Sequence, residues 1–251
     1  MALEDVGLAT LLLVAFVPPI AFMIRIRNAE HFDRNPWWLM FIVFAWGAVG
    51  AILLAVIGES WLGIHLDTYR PQRVPQMMWL AVILGPLIEE PAKALIIVFL
   101  SRKRIREEED GLVYGAASGL GFSATENLAY EIGALAEYGF AGWVVTSVMR
   151  MLTSTLLHAS SSAVAGWGIA RGKLRPGADA SAWTYLGIAM LMHALFNFLA
   201  TLPLLLGGSF AVVLGSLLAI FVFAIGIYRY IRAKIRELDR RGHAAALGVV
   251  R

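Results

Sequence analysis

Four short stretches place ionisable side chains inside apolar sequence. "IEEPAK" sets Glu89, Glu90 and Lys93 together, and "FSATEN" ends in Glu126 and Asn127. "RMLTSTLLH" carries Arg150, Ser154 and His158, and "HALFN" carries His193 and Asn197. Carboxylates and imidazoles held away from bulk water can do two kinds of hydrolytic chemistry. One Glu and two His make the ligand count of a catalytic zinc site that keeps a position open for water. Glu126, His158 and His193 could supply that set for Zn2+ or another divalent metal, with Glu89 or Glu90 as general base. Alternatively, a glutamate in a low-dielectric site activates water directly, while His and Asn stabilise the oxyanion. Both routes end in hydrolysis of an amide.

Helical spacing arranges each group. Glu89 and Lys93 stand four apart and share a face, so they can pair locally. Glu90 points about 100° away, which makes it the freer carboxylate, with Lys93 as counter-ion. Gly85, Pro86 and Pro91 predict a kink here, because each proline deprives a carbonyl one turn back of its donor. Arg150, Ser154 and His158 recur every fourth residue on one face; Arg150 is read as a structural partner for Glu126. His193 and Asn197 are one turn apart, with Asn197 as a supporting donor. The run Ser160–Ser162 is read as helix–helix contact and not as a nucleophile.

These side chains need elements to carry them. The chain has 251 residues, of which 59% are hydrophobic and only 16% charged. A soluble domain carries about 25% charged residues, so the composition points to a polytopic membrane protein. Runs long enough to span a bilayer fall at roughly 8–24, 38–58, 77–101, 111–130, 142–170, 182–205 and 209–230. Lys and Arg cluster between them on one side: three in 25–36, four in 102–110, three in 171–181 and seven from 229 onward. By the positive-inside rule the expectation is an all-α membrane protein of seven spans, N-terminus out and C-terminus in. It is read as a single transmembrane domain over 1–251, with a reaction core at 77–205. The segment 231–251 reads as a basic cytoplasmic tail that serves as a charged, solubilising end.

The N-terminal segment has Glu4 and Asp5 where a signal peptide would be basic, so it reads as a retained first span. The outer stretch 58–76 is polar and aromatic and suggests an interfacial loop. A net charge of +3 gives no sign of nucleic-acid binding, and the absence of cysteine excludes thiolate chemistry. A charge at the bilayer centre costs about 2.5–3.5 kcal/mol even on lenient scales. Spans one, two and seven carry essentially none, so the ionisable groups of spans three to six imply one shared polar cavity.

The motifs "EEPAK", "FSATEN", His158 and "HALFN" together resemble the PrsW family of intramembrane proteases. That family is similar in turn to the wider group of CAAX prenyl endopeptidases and bacteriocin-immunity-type membrane proteases. The match covers about residues 77–200. It implies an endopeptidase of the prokaryotic plasma membrane that cuts a membrane-anchored protein, for example an anti-sigma-factor-like substrate. Lys93 stands where the CAAX endopeptidases have Arg one residue later, and Glu126 where they have His, so prenylated substrates are not implied. Two other readings remain from the residues alone. A proton-coupled transporter also places Glu, His and broken helices at the midplane, although no paired halves are evident here. A non-catalytic scaffold or immunity protein would keep such a site as a relic.

Overall fold

Residues 108–124 form a helix that is buried on every side, and it sets the architecture. A helix apolar or small all round belongs inside a bundle, and this stretch is rich in Gly and Ala. The structure is a computed structural model that describes residues 6–61 and 80–248. The interfacial loop expected at 58–76 lies mostly outside the described residues, as do the first residues of the span expected at 77–101.

Every regular element among the described residues is helical. These are α1 (Leu8–Arg27), α2 (Trp37–Trp61), α3 (Gly85–Ser101), α4 (Glu108–Leu152), α5 (Ser154–Leu174), α6 (Ser181–Leu205) and α7 (Phe210–Ala246). Five helical runs are long and apolar enough to cross a membrane: Leu8–Arg27, Trp37–Trp61, Glu108–Leu174, Ser181–Leu205 and Phe210–Ala246. The chain is therefore a multi-pass membrane protein.

The 67-residue run from Glu108 to Leu174 folds back on itself. Gly139 has φ +68, a conformation that favours glycine because it has no Cβ. Contacts nest around it. Glu131 meets Trp143, Asn127 meets Arg150, Ser123 meets Thr155, and Gly119, Gly115 and Gly111 lie against His158, Ser162 and Gly166. The two arms are thus an antiparallel hairpin. At Gly119 an added Cβ would fall 2.0 Å from the His158 carbonyl oxygen, so the backbones touch directly.

The other helices pack around this pair. α1 contributes a face of Leu11, Ala15, Pro19, Met23 and Ile26. α2 contains a π-helical turn at Trp46–Ala51, where Thr125 Oγ1 donates to the Ala48 carbonyl at 2.7 Å. A second π-helical turn at Leu80–Leu84 leads into α3, near the kink expected from Gly85 and Pro86. Apolar side chains such as Leu13, Phe41, Leu53, Phe99, Leu191 and Val222 remain exposed around the outside, as a lipid-facing surface requires.

The basic end of the bundle is tightly joined. Asp110 accepts from the backbone N–H of Arg106 and Glu107 and from Asn35 Nδ2. Asp239 caps the N–H groups of His31 and Phe32. Of the segment 231–251, residues 231–246 do more than carry charge, because α7 continues to Ala246 and buries Ile231, Ile235 and Leu238 against the bundle.

Candidate functional site

The Lys93 ammonium is the hub of the buried polar groups. It is 0% exposed and donates to Glu89 Oε2 at 3.0 Å and Glu90 Oε1 at 2.9 Å. It also lies 3.0 Å from His158 Nδ1 and 4.0 Å from the centre of the Phe122 ring. Pairing is therefore not confined to Glu89. The i+3 and i+4 positions both reach the same ammonium.

The two glutamates have different surroundings. Glu90 is completely buried. Its Oε1 accepts from Lys93, from His193 Nδ1 at 2.9 Å and from Ser161 Oγ at 3.1 Å, and its Oε2 accepts from Ser162 Oγ at 3.2 Å. Four donors pin it in place. Glu89 keeps a side chain 12% exposed, with Lys93 as partner and His193 Nδ1 3.9 Å away. Helical spacing alone leaves Glu90 the freer carboxylate; the geometry gives that place to Glu89, because serines of α5 and His193 of α6 close on Glu90 from outside its own helix.

His158 is held by both ring nitrogens and His193 by one. An ammonium can only donate, so His158 Nδ1 accepts from Lys93, and Nε2–H donates to Glu126 Oε2 at 2.8 Å. His193 Nδ1–H donates to Glu90, which leaves Nε2 with its lone pair. The imidazole rings meet edge to face with centroids 4.8 Å apart. Glu89, His158 and His193 can each present a ligand atom within 4.8 Å of the others. This trio has Glu89 where the sequence reading placed Glu126.

Glu126 stands one step outward. Arg150 Nη2 donates to it at 2.7 Å, while Arg150 Nε donates to Asn127 Oδ1 at 2.8 Å. Asn197 lies apart from the carboxylates. Its Nδ2 donates at 2.7 Å to the carbonyl of Ala81, in the turn where Pro86 provides no N–H.

Residues 35–226 match the model of the PrsW family of intramembrane metalloproteases. The chain belongs to that family. Protease PrsW of Clostridioides difficile (strain 630) is 23% identical over 195 residues, covering 75% of this chain and 78% of that protein. Protease PrsW of Bacillus subtilis (strain 168) is 31% identical over 120 residues, 45% of this chain and 50% of that protein. No solved structure matches the chain. The PrsW match contains Glu89, Glu90, Lys93, Glu126, His158, His193 and Asn197.

Three contributors escaped the sequence reading. Ser161 and Ser162 looked like packing residues, but their hydroxyls donate to Glu90; the signal was their position one turn beyond His158. Glu59 fell just past the expected end of the second span. α2 continues through it, one turn after buried Ala55, within electrostatic reach of Glu89, Glu126 and Lys93.

Proposed function

We propose that this chain is an intramembrane endopeptidase that hydrolyses a peptide bond of a membrane-anchored protein, such as an anti-sigma-factor-like substrate, in the prokaryotic plasma membrane. The observation that carries the reading is the convergence of Glu89, His158 and His193 within 4.8 Å, inside the region matched by a protease family. In this reading the protein crosses the membrane seven times, N-terminus out and C-terminus in, with its reaction core at 77–205. The side-by-side arms around Gly139 and the clustering of Lys and Arg support that count and orientation.

Glu89, His158 and His193 are the residues that would hold a divalent metal such as Zn2+. The donor chemistry fits at Glu89 and at His193, whose Nε2 is open, while His158 would have to exchange its Nδ1 contact with Lys93 for the ion. Each imidazole has one nitrogen fixed by a carboxylate, Glu90 for His193 and Glu126 for His158, and metal-binding histidines are commonly oriented this way. Such an ion, when bound, supplies a polarised carbonyl and a more acidic water. The chain's own residues do the positioning. Lys93 holds the two glutamates together, Arg150 anchors Glu126, and Asn197 ties α6 to the turn before α3.

One contact favours a second route. Lys93 Nζ lies 3.0 Å from both Glu89 Oε2 and His158 Nδ1, so a cation of the protein itself already bridges two of the three donors. In that route Glu89 takes the proton from water, and His193 steadies the oxyanion only with a proton on Nε2 in place of the lone pair.

Cleavage of a co-expressed membrane-anchored substrate tests the proposal. Glu89→Gln is expected to reduce cleavage by at least about 100-fold, within the usual range for a general base, with the protein still inserted and folded. Unchanged cleavage in Glu89→Gln would sink the role given to Glu89, unchanged cleavage in the Glu89→Gln/Glu90→Gln variant would sink the protease reading, and solute uptake that depends on Glu89 without cleavage would replace it with a carrier. Chelation separates the routes. The metal route predicts loss of activity with a chelator, recovery with added Zn2+, and loss of bound metal in His193→Ala. The glutamate route predicts chelator-insensitive cleavage.

A further inference from the structure

We propose that a cavity at the basic end of the bundle binds the phosphate of an anionic phospholipid headgroup. This site is separate from the reaction centre, and its existence does not depend on the protease reading.

The cavity lies between the loops that follow α1 and α3. It encloses about 150 Å3 and is lined by Arg34, Arg104, Arg106, Asp33, Asp110 and Tyr114, among others. One ordered water needs only about 10–15 Å3 of such space, so a group of several heavy atoms fits. Three arginines and two aspartates are among its lining, and one of the aspartates is already committed. Asp110 accepts from the N–H groups of Arg106 and Glu107 and from Asn35 Nδ2 at 2.6, 3.1 and 2.9 Å.

None of the three arginines forms an ion pair among the described residues. Arg34 Nε donates to the Glu30 carbonyl at 2.9 Å, which fixes the side chain and leaves its terminal nitrogens. The Arg104 guanidinium lies 5.2 Å from the centre of the Trp38 ring. Arginine forks match phosphate oxygens in geometry and charge, and all three arginines are exposed at the cavity, so a phosphate can reach them.

Depth selects the lipid as its source. Trp37 and Trp38 open α2 and are partly exposed, and Arg27 lies over the Trp37 ring at 4.1 Å. Tryptophan beside arginine at a helix end marks the headgroup level. One turn deeper, Phe41 and Ile42 are half-exposed and offer an apolar wall for acyl chains. Basic pockets at this depth are suited to anionic headgroups.

The test compares retention of phosphatidylglycerol and phosphatidylcholine by the purified full-length protein, read by native mass spectrometry and by thermal unfolding in lipid nanodiscs. Retention of one phosphatidylglycerol at least about tenfold over phosphatidylcholine is expected. Arg34→Gln and Arg106→Gln should each weaken that preference about fivefold, the equivalent of about 1 kcal/mol per basic residue near the surface. Arg102→Gln and Lys103→Gln, which remove charge nearby but outside the cavity, should leave it unchanged. Equal retention of the two lipids by the wild-type protein overturns the proposal without recourse to any variant. Equal weakening by the control substitutions overturns it in favour of diffuse surface charge. Inorganic phosphate in detergent is the last arm. If it stabilises the protein as much as phosphatidylglycerol does, the lipid assignment falls and the occupant is a free anion.

Discussion

Glu90 is the carboxylate that ties the helices of the site together. Its four donors come from three helices, and its Oε1 is the acceptor that turns His193. Ser161 and Ser162 act through this carboxylate. Removing a hydroxyl that serves a buried charge costs about 1–3 kcal/mol, so Ser161→Ala and Ser162→Ala should each lower kcat about tenfold or more, with KM little changed. Restoring the hydroxyl as Thr at either position should recover activity if space allows the extra methyl. Steady-state cleavage in detergent checks this, and an unchanged kcat in both alanine variants would return the serines to a packing role. Which residue types gather here was legible in the sequence, because a charge in apolar sequence stands out. Which glutamate is pinned was not. That depends on hydroxyls of α5 and an imidazole 103 residues away, and helical periodicity within α3 carries no information about them.

At the level of elements, the α4–α5 hairpin is the frame that brings His158 to Glu126 and Lys93. Its contact line is built from Gly111, Gly115 and Gly119 against α5. Gly119→Ala should force α5 outward where it carries His158, since the new Cβ would sit 2.0 Å from a carbonyl oxygen that cannot swing aside. Overpacking of this kind costs about 1–3 kcal/mol. The expected outcome is a lower Tm with an even larger fractional loss of cleavage. A variant with normal cleavage and a normal Tm would mean that the two backbones are not in contact. The positions of both arms were readable from hydropathy; the kink expected from Gly85, Pro86 and Pro91 has as its counterpart the irregular turn just before Gly85, and the helix runs on through Pro91. The π-helical form of the turns at Leu80–Leu84 and Trp46–Ala51 was not readable, although each has a carbonyl bonded from a neighbouring helix, by Asn197 at Ala81 and by Thr125 at Ala48. The extension of α2 through Glu59 was missed for a related reason. A glutamate reads as a span end unless a neighbouring helix covers it.

Across the whole molecule, one end is knitted by acidic residues among many basic ones. Glu30 accepts from the backbone and side chain of Asn35 at 2.9 and 2.6 Å, and Asn35 links onward to Asp110. Burial pushes the Glu30 carboxyl up to about 8, and the charges of Asp110 and Asp239 add to the effect against the Asn35 donors. The folded protein thus prefers Glu30 neutral. The stability this group contributes is complete below its ordinary value near 4.5 and is lost as pH rises through about 8. Thermal unfolding between pH 6 and pH 9 should show the wild type weakening by up to about 1.4 kcal/mol per pH unit below that point. Glu30→Gln should flatten the profile, and an unchanged slope would place the titrating group elsewhere. Charge clustering revealed this end from sequence as a sidedness signal. Its internal bonds, including the seating of α7 on the loop after α1, depend on tertiary contacts that composition does not record.

The long separation of Glu90 and His193 also has a consequence for synthesis. The two are 103 residues apart, and chains elongate at about 5–20 residues per second. For roughly 5–20 s after the glutamates leave the ribosome, the nascent chain has Lys93 to neutralise them but no His193. A half-made chain therefore enters the bilayer with its carboxylates partly balanced and without a complete reaction centre. The Glu90–His193 contact, and with it the clustering of Glu89, His158 and His193, can form only once α6 has been made and inserted.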